Sequence, residues 1–360
     1  MTAAIDEVHP GRLRDWLRDH VPSLPMDDET SISATRVGGG YSNLTFDISI
    51  GTGDTMRHVI LRRAPVGVKA ERGAHDMRRE FRVLSAVHGS PVPVPLPIAL
   101  CEDESVIGGL FFLMSLVPGV AVRTVDDAPT LRDPAVMRRM SESCIDALAA
   151  LHALPVEAMP LYDAARVAGY GARQVQNWHA RWTAALTPDV PDDDATLVFA
   201  WLAANLPAPL PPVLLHNDWK FDNLLVDPAD PGTIRAVLDW EMATVGDPRF
   251  DLATALGYWV QADDAPLLQA LALGVTNAPG CLTRVEVVDR YGVRCGRPVS
   301  EPVYWYAFGL SKVAAIVLQL YARYVSGLSS DGRFAFLGGM AGLLMQTARA
   351  AIEQDSLAAQ

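Results

Sequence analysis

Three oxygen-bearing side chains, Asp218, Asn223 and Asp239, lie within the stretch LLHNDWKFDNLLVDPADPGTIRAVLDWEMATVGDPRFDLA at 214–253. An aspartate can take the proton of a hydroxyl. An amide oxygen beside a carboxylate suits Mg²⁺, which keeps several waters and takes one or two carboxylates together with substrate phosphates. Apolar runs at 224–226 and 234–238 flank a turn built from Asp227, Pro228, Asp230, Pro231 and Gly232, and this predicts a hairpin. A hairpin brings Asn223, before its first strand, beside Asp239, after its second. Asp218 sits on the loop that leads into it. The same residue types also serve as ordinary turn and cap residues. The coincidence of three spacings favours a site.

Elements upstream must supply the rest. Gly38, Gly39 and Gly40, followed by Tyr41, Ser42 and Asn43, lie between predicted strands at 31–37 and 44–50, where bare backbone N–H groups can cover phosphates. A plain hairpin turn fits these residues as well. A third strand at 58–62 ends in Arg62. A helix over 76–87 keeps apolar spacing through Met77, Phe81, Leu84 and Val87, and carries Glu80. The proline-laden 91–97 reads as extended chain. Runs at 98–101 and 110–117 read as further strands, ending at Pro118-Gly119. Helical periods then dominate, at 135–153, 170–186, 195–205 and in several segments after 250. The expectation is an α+β chain, with a β-rich part at 1–117 that includes an N-terminal helix at 10–20. A larger helical part follows at 118–360, with a cleft between the two.

The pattern H-x-D-x-x-x-x-N, followed by an aspartate after a strand, resembles the catalytic and metal-binding loops of protein kinase-like enzymes. His216-Asn217-Asp218…Asn223, with Asp239-Trp240-Glu241 and Gly246-Asp247-Pro248…Asp251, more closely resembles the aminoglycoside phosphotransferase (choline kinase-like) family. Within it, the branch of bacterial phosphotransferase-family proteins and of kinase domains fused to some acyl-CoA dehydrogenases is most similar, over about 30–350. The resemblance implies a bilobal protein kinase-like fold with a small β-rich N-lobe, a larger helical C-lobe and a nucleotide cleft. It implies Asp218 as catalytic base, and Asn223 and Asp239 as holders of Mg²⁺ against the phosphates of ATP. His216 supports the loop in this picture, and Asp251 braces it from below. Residues 39–45 resemble the G-G-x-S-N-x-T segment of the branch. Arg62, with Arg63 as the alternative register, takes the place of the phosphate-pairing lysine, and Glu80 that of the glutamate orienting it. Arginine pairs phosphate bidentately, although the two cations are not interchangeable. Backbone groups at Ser115 and Val117 are the implied adenine partners.

Composition narrows the reading. The 360 residues suit about two domains. Lys plus Arg is 30 against 42 Asp plus Glu, a net charge of −12, which argues against nonspecific binding to nucleic acid or anionic membrane. Cys101, Cys144, Cys281 and Cys295 form no C-x-x-C pair, so a reduced, cytoplasmic setting is expected. No signal-peptide pattern opens the chain. The apolar stretch 308–325 carries Lys312, Gln319 and Arg323 and reads as a buried helix, not a span. Asp239 and Asp251 are separated by only 12 positions with no A-P-E motif, which leaves little room for a peptide platform. A small-molecule hydroxyl acceptor is therefore expected.

Asp222, Glu241 and the Asp192-Asp193-Asp194 run are acidic enough for a polycationic aminoglycoside. Trp178, Trp182, Tyr258, Trp259, Tyr304, Trp305 and Tyr306 suit a hydrophobic or acyl-type alcohol, and the branch resemblance points to hydroxyacyl-CoA-like acceptors. An inactive nucleotide-binding module is the alternative from another class. A metal-dependent hydrolase leaves the glycines, Arg62 and Glu80 unexplained. Zinc-ligand spacing and G-x-S-x-G do not occur. These patterns carry no signal for oligomeric state or for ATP against GTP.

Overall fold

Proline at its first turn and Leu13, Trp16 and Leu17 on one stripe make Pro10–His20 an amphipathic helix, α1. The computed structural model describes residues 9–24, 26–37, 43–64, 76–270 and 274–358. The chain separates into two compact units, Met1–Pro118 with Ala236–Ala243, and Gly119–Arg235 with Thr244–Gln360. The segment Ala236–Ala243, expected with the later part, belongs by its contacts to the first unit.

In the first unit, β1 (Ile32–Arg36), β2 (Leu44–Ile50), β3 (Arg57–Arg63), β4 (Pro97–Cys101) and β5 (Phe111–Ser115) form an antiparallel sheet in the order β1-β2-β3-β5-β4. The pleat decides which side chains meet. Phe46, Leu61 and Leu113 are paired across β2, β3 and β5, and all three are fully buried. They join Leu13, Trp16 and Leu17 of α1 in one core, with Trp16 edge-on to Phe111 at 5.1 Å. Thr45, Arg62 and Phe112 are paired on the opposite face. There α2 (Met77–Val87) packs, its Phe81 ring 5.9 Å from Phe112. The Asp76 side chain caps α2 by accepting the N–H of Arg79, and the buried stripe Met77, Val83, Leu84 and Val87 includes one carboxylate, Glu80.

Further along, β6 (Val120–Ala121) pairs antiparallel with β8 (Leu224–Val226), which is followed by β9 (Ile234–Val237) in a three-stranded sheet. The turn is closed by the N–H of Asp227 donating to Thr233 O at 3.0 Å. β7 (Val213–Leu215) pairs with β10 (Thr244–Gly246). Around them lie α3 (Pro134–His152), α4 (Tyr170–Ala185), α5 (Asp193–Ala204), α6 (Arg249–Tyr258), α7 (Arg284–Arg294), α8 (Pro302–Val325) and α9 (Leu337–Gln354). Every residue of α6 is buried. A Cβ on Gly257 would lie 2.4 Å from the carbonyl carbon of Gly309, so α6 and α8 cross at backbone contact. Among the described residues, two helices, Pro302–Val325 and Gly332–Gln354, are long and apolar enough to cross a membrane. In the first, 83% of the apolar window is buried against its neighbours, as in a core helix.

Candidate active site

Asp218 lies on the loop that leaves β7, and its surroundings come from that loop and from α6 and α8. Asn217 takes a left-handed conformation (φ 66°), a costly one outside glycine that the surroundings must enforce. They do so through Asp251, which is fully buried near the start of α6. Its Oδ1 accepts the N–H of Asn217 at 2.6 Å, and its Oδ2 accepts the N–H of His216 at 2.7 Å. His152 Nε2 stands 3.2 Å from the same Oδ2. Burial pushes the Asp251 carboxyl up, but His152 and His216, with these hydrogen bonds, bring it below the ordinary carboxylate range. From the other side, Lys312 Nζ donates to Asn217 O at 2.6 Å and to Thr254 Oγ1 at 2.9 Å. Burial lowers the Lys312 ammonium to about 8 against the pull of Asp218 and Asp251.

Asn223 follows in the turn before β8. Its Nδ2 donates to Asp218 O and to Asp218 Oδ2, both at 2.8 Å, and Lys220 Nζ pairs with the same Oδ2 at 2.8 Å. Burial pushes the Asp218 carboxyl up, but Lys220, His216 and Lys312 hold it below its usual range, so it is ionised at neutral pH. His216 is fully buried, its Nδ1 accepting the N–H of Asp218 at 3.2 Å. It supports the loop.

The first unit carries a second cluster. Arg62 Nη1 lies 3.2 Å from Glu80 Oε1, and its Nη2 lies 3.0 Å from Asp239 Oδ1 and 3.4 Å from Glu241 Oε2. Asn43 Nδ2 donates to that Glu241 oxygen at 2.7 Å. Glu80 is 2% exposed and Asp239 34%, so one carboxylate is a buried strut and the other faces outward. Burial alone would lower the Arg62 guanidinium, but Glu80, Asp239 and Glu241 together raise it. Burial, and the like charge of Asp239, push the Glu80 carboxyl up to about 7. Three carboxylates share one guanidinium, an excess of negative charge. Asp239 is left-handed (φ 65°) and opens a short 3₁₀ turn, Trp240–Met242.

The register question at β3 is answered by the pleat: Arg62, not Arg63, meets Glu80. Arg63 is on the core face, its Nη1 on Ile107 O at 2.6 Å and its guanidinium 5.8 Å from the Phe46 ring. At Ser115 the backbone N–H already donates to Leu96 O at 2.9 Å, and its hydroxyl accepts the N–H of Leu96. Val117 follows β5. Gly38, Gly39, Gly40 and Ser42 lie outside the described residues. No group of three or more His, Cys, Asp or Glu side chains placed to hold a metal ion occurs among the described residues.

Residues 33–283 match the phosphotransferase enzyme family. The chain belongs to that family. It is 31% identical over 294 residues to acyl-CoA dehydrogenase family member 10 of Mus musculus, covering 81% of this chain and 26% of that protein. It is 31% identical over 330 residues to acyl-CoA dehydrogenase family member 11 of Homo sapiens, covering 90% and 40% respectively. The chain thus spans well under half the length of these curated relatives. A Ralstonia eutropha protein assigned to the aminoglycoside phosphotransferases superposes with a TM-score of 0.75 at 26% identity, covering 97% of this chain and 98% of that one. The GDP and kanamycin complex of APH(2")-IIIa gives 0.58 at 13% identity, covering 93% and 97%. The fold is protein kinase-like.

Several residues around Asp218 escaped the sequence patterns. Lys220 is the nearest cation to Asp218, and its two-residue spacing was the available signal. Lys312 offered none beyond being a charge in an apolar helix. The Asp192-Asp193-Asp194 run, read as candidate acidic lining, begins α5. Asp192 Oδ1 accepts Trp182 Nε1 at 2.7 Å and Asp194 pairs with Arg349 at 2.9 Å. All seven aromatic residues proposed for the acceptor pocket are buried.

Proposed function

We propose that this phosphotransferase moves the γ-phosphoryl group of ATP to a hydroxyl of a small molecule, with Asp218 as the base. The observation that carries the reading is the treatment of Asp218. Its carboxylate is kept ionised by Lys220 and oriented by Asn223, on a loop whose strained backbone is tied to Asp251 and Lys312. That is preorganisation of one oxygen atom for proton acceptance, worth roughly 10²- to 10⁴-fold in rate.

Each proposed donor suits a divalent cation by its chemistry. The carboxylate excess around Arg62 leaves Asp239 outward-facing and only partly neutralised, and Asn223 offers an amide oxygen. Asp239 and Asn223 would hold Mg²⁺, whose chemistry is to offset phosphate charge and fix the reacting phosphates. Arg62, held by Glu80, is the proposed phosphate-pairing cation. The segment Gly38, Gly39, Gly40, Ser42 and Asn43 is the proposed phosphate cover, and backbone groups of Ser115 and Val117 the proposed adenine partners.

Calorimetric titration with MgATP and MgGTP tests the reading, together with ADP release in a screen of hydroxylated metabolites, aminoglycosides and hydroxyacyl-CoA esters. Asp218→Asn is expected to bind MgATP like the parent and to transfer at most about one hundredth as fast. Asp239→Ala is expected to weaken MgATP binding. MgATP binding unchanged in Asp239→Ala overturns the metal assignment. Nucleotide binding without ADP release for any acceptor supports the inactive-module alternative.

A further inference from the structure

α4 and α8 place two cations on one indole. Trp178 of α4 is 4% exposed. Lys312 Nζ stands 5.5 Å from its ring centroid and the Arg181 guanidinium carbon 4.5 Å. The two cations differ in one respect. Lys312 is buried, and its ammonium donates to Asn217 O and Thr254 Oγ1. Arg181 is exposed, and it has neither an ion pair nor a hydrogen bond among the described residues.

Several other arginines of the second unit are paired. Arg249 meets Asp247, Arg284 meets Asp264, and Arg290 and Arg294 share Asp146. In a chain with 42 acidic residues and a net charge of −12, an arginine over a tryptophan ring beside a second cation, with no carboxylate partner among the described residues, is poised for an anion from outside. A guanidinium stacked on a ring keeps its in-plane N–H donors available and loses little rotamer freedom when a carboxylate or phosphate arrives. Its neighbour Lys312 contacts Asn217, the residue next to Asp218, so such an anion would belong to the molecule whose hydroxyl faces that aspartate.

We infer that Arg181, seated on Trp178, receives the anionic group of the phosphoryl acceptor. The substrate class is a hydroxylated small molecule bearing a carboxylate or phosphate, not a polycation. The inference rests on the proposed kinase reading and narrows its acceptor. Two positive charges at the acceptor side repel an aminoglycoside and attract the anion.

The test uses the full chain with Mg²⁺ and AMP-PNP. 3-Hydroxybutanoate and glycerol 3-phosphate are titrated against their uncharged partners 3-hydroxybutanamide and glycerol, and against kanamycin. The parent, Arg181→Gln and Arg181→Lys are compared. At least one anionic probe is expected to bind tenfold or more tightly than its uncharged partner, with no kanamycin binding. Arg181→Gln erases that preference, and Arg181→Lys keeps part of it. Equal affinity for charged and uncharged partners, preference for kanamycin, a preference unchanged in Arg181→Gln, or no binding of either anionic probe overturns the inference. Failure of the kinase reading is a separate result, namely no binding of Mg-AMP-PNP.

Discussion

Asp251 Oδ1 accepts the backbone N–H of Asn217 at 2.6 Å across 34 positions of chain, and Oδ2 takes the N–H of the preceding His216. One buried carboxylate thus satisfies two consecutive backbone donors and faces His152 as well. Asp251→Ala leaves all of them unpaired in the interior and is expected to lower unfolding stability by about 3–5 kcal/mol in urea denaturation. Asp251→Asn, which keeps acceptor oxygen but turns an amide toward donors, falls between. An unchanged midpoint in the alanine variant would show that the loop is held by something else.

Glu80 is expected to make stability fall as pH rises. Its carboxyl, ordinarily at 4.5, is pushed up to about 7 by burial, so the folded chain holds a proton that the unfolded chain releases. The stabilisation is complete below 4.5 and is lost as pH climbs through 7, on the order of 3 kcal/mol relative to Glu80→Gln. Guanidinium unfolding of both proteins from pH 4.5 to 7.5 measures it. Parallel curves contradict the expectation.

The sign reverses at Lys312. Burial lowers its ammonium from 10.5 to about 8, so between these values the unfolded chain carries the extra proton. The parent therefore gains stability over Lys312→Met as pH rises from 8 toward 10.5, and loses that gain as pH falls through 8. The same order of magnitude, about 3 kcal/mol, is expected over the full window. A difference that does not change with pH in this range refutes it.

Gly309→Ala and Gly342→Ala form a matched pair. A Cβ at 309 would stand 1.8 Å from Ala253 O, whereas at 342 on α9 nothing lies within 4 Å. The first substitution forces α8 off α6 and is expected to cost at least about 3 kcal/mol, beyond ordinary overpacking. The second removes backbone freedom in an open helix position and is expected to stabilise by up to about 1 kcal/mol. Thermal unfolding of both variants separates the effects, and similar melting temperatures would refute the close crossing.

Local order explains what could be read from residues alone. The turn rich in Asp, Pro and Gly at 227–232 and its flanking apolar runs are short-range signals, and β8 and β9 lie where they predict. The stripe of α2 carries Glu80 among apolar residues, a sequence-visible anomaly that its burial against Arg62 accounts for. Arg62 and Arg63 were indistinguishable because a strand's period of two puts them on opposite faces without saying which face α2 covers. Lys312 meets Asn217 across 95 positions, and Asn43 meets Glu241 across 198. No periodicity reaches so far. The acidic run at 192–194 looked like ligand lining because a helix start and a ligand-binding patch use the same residue types.

The excursion of Ala236–Ala243 into the first unit has a practical corollary for anyone dividing this polypeptide. A fragment ending at Pro118 would carry Arg62 and Glu80 but abandon Asp239 and Glu241, stranding a guanidinium with one of its three counter-charges. A fragment beginning at Gly119 would carry those carboxylates with no arginine to meet them. Neither half keeps the Arg62 cluster whole; a cut that preserves it grafts eight residues back across the break.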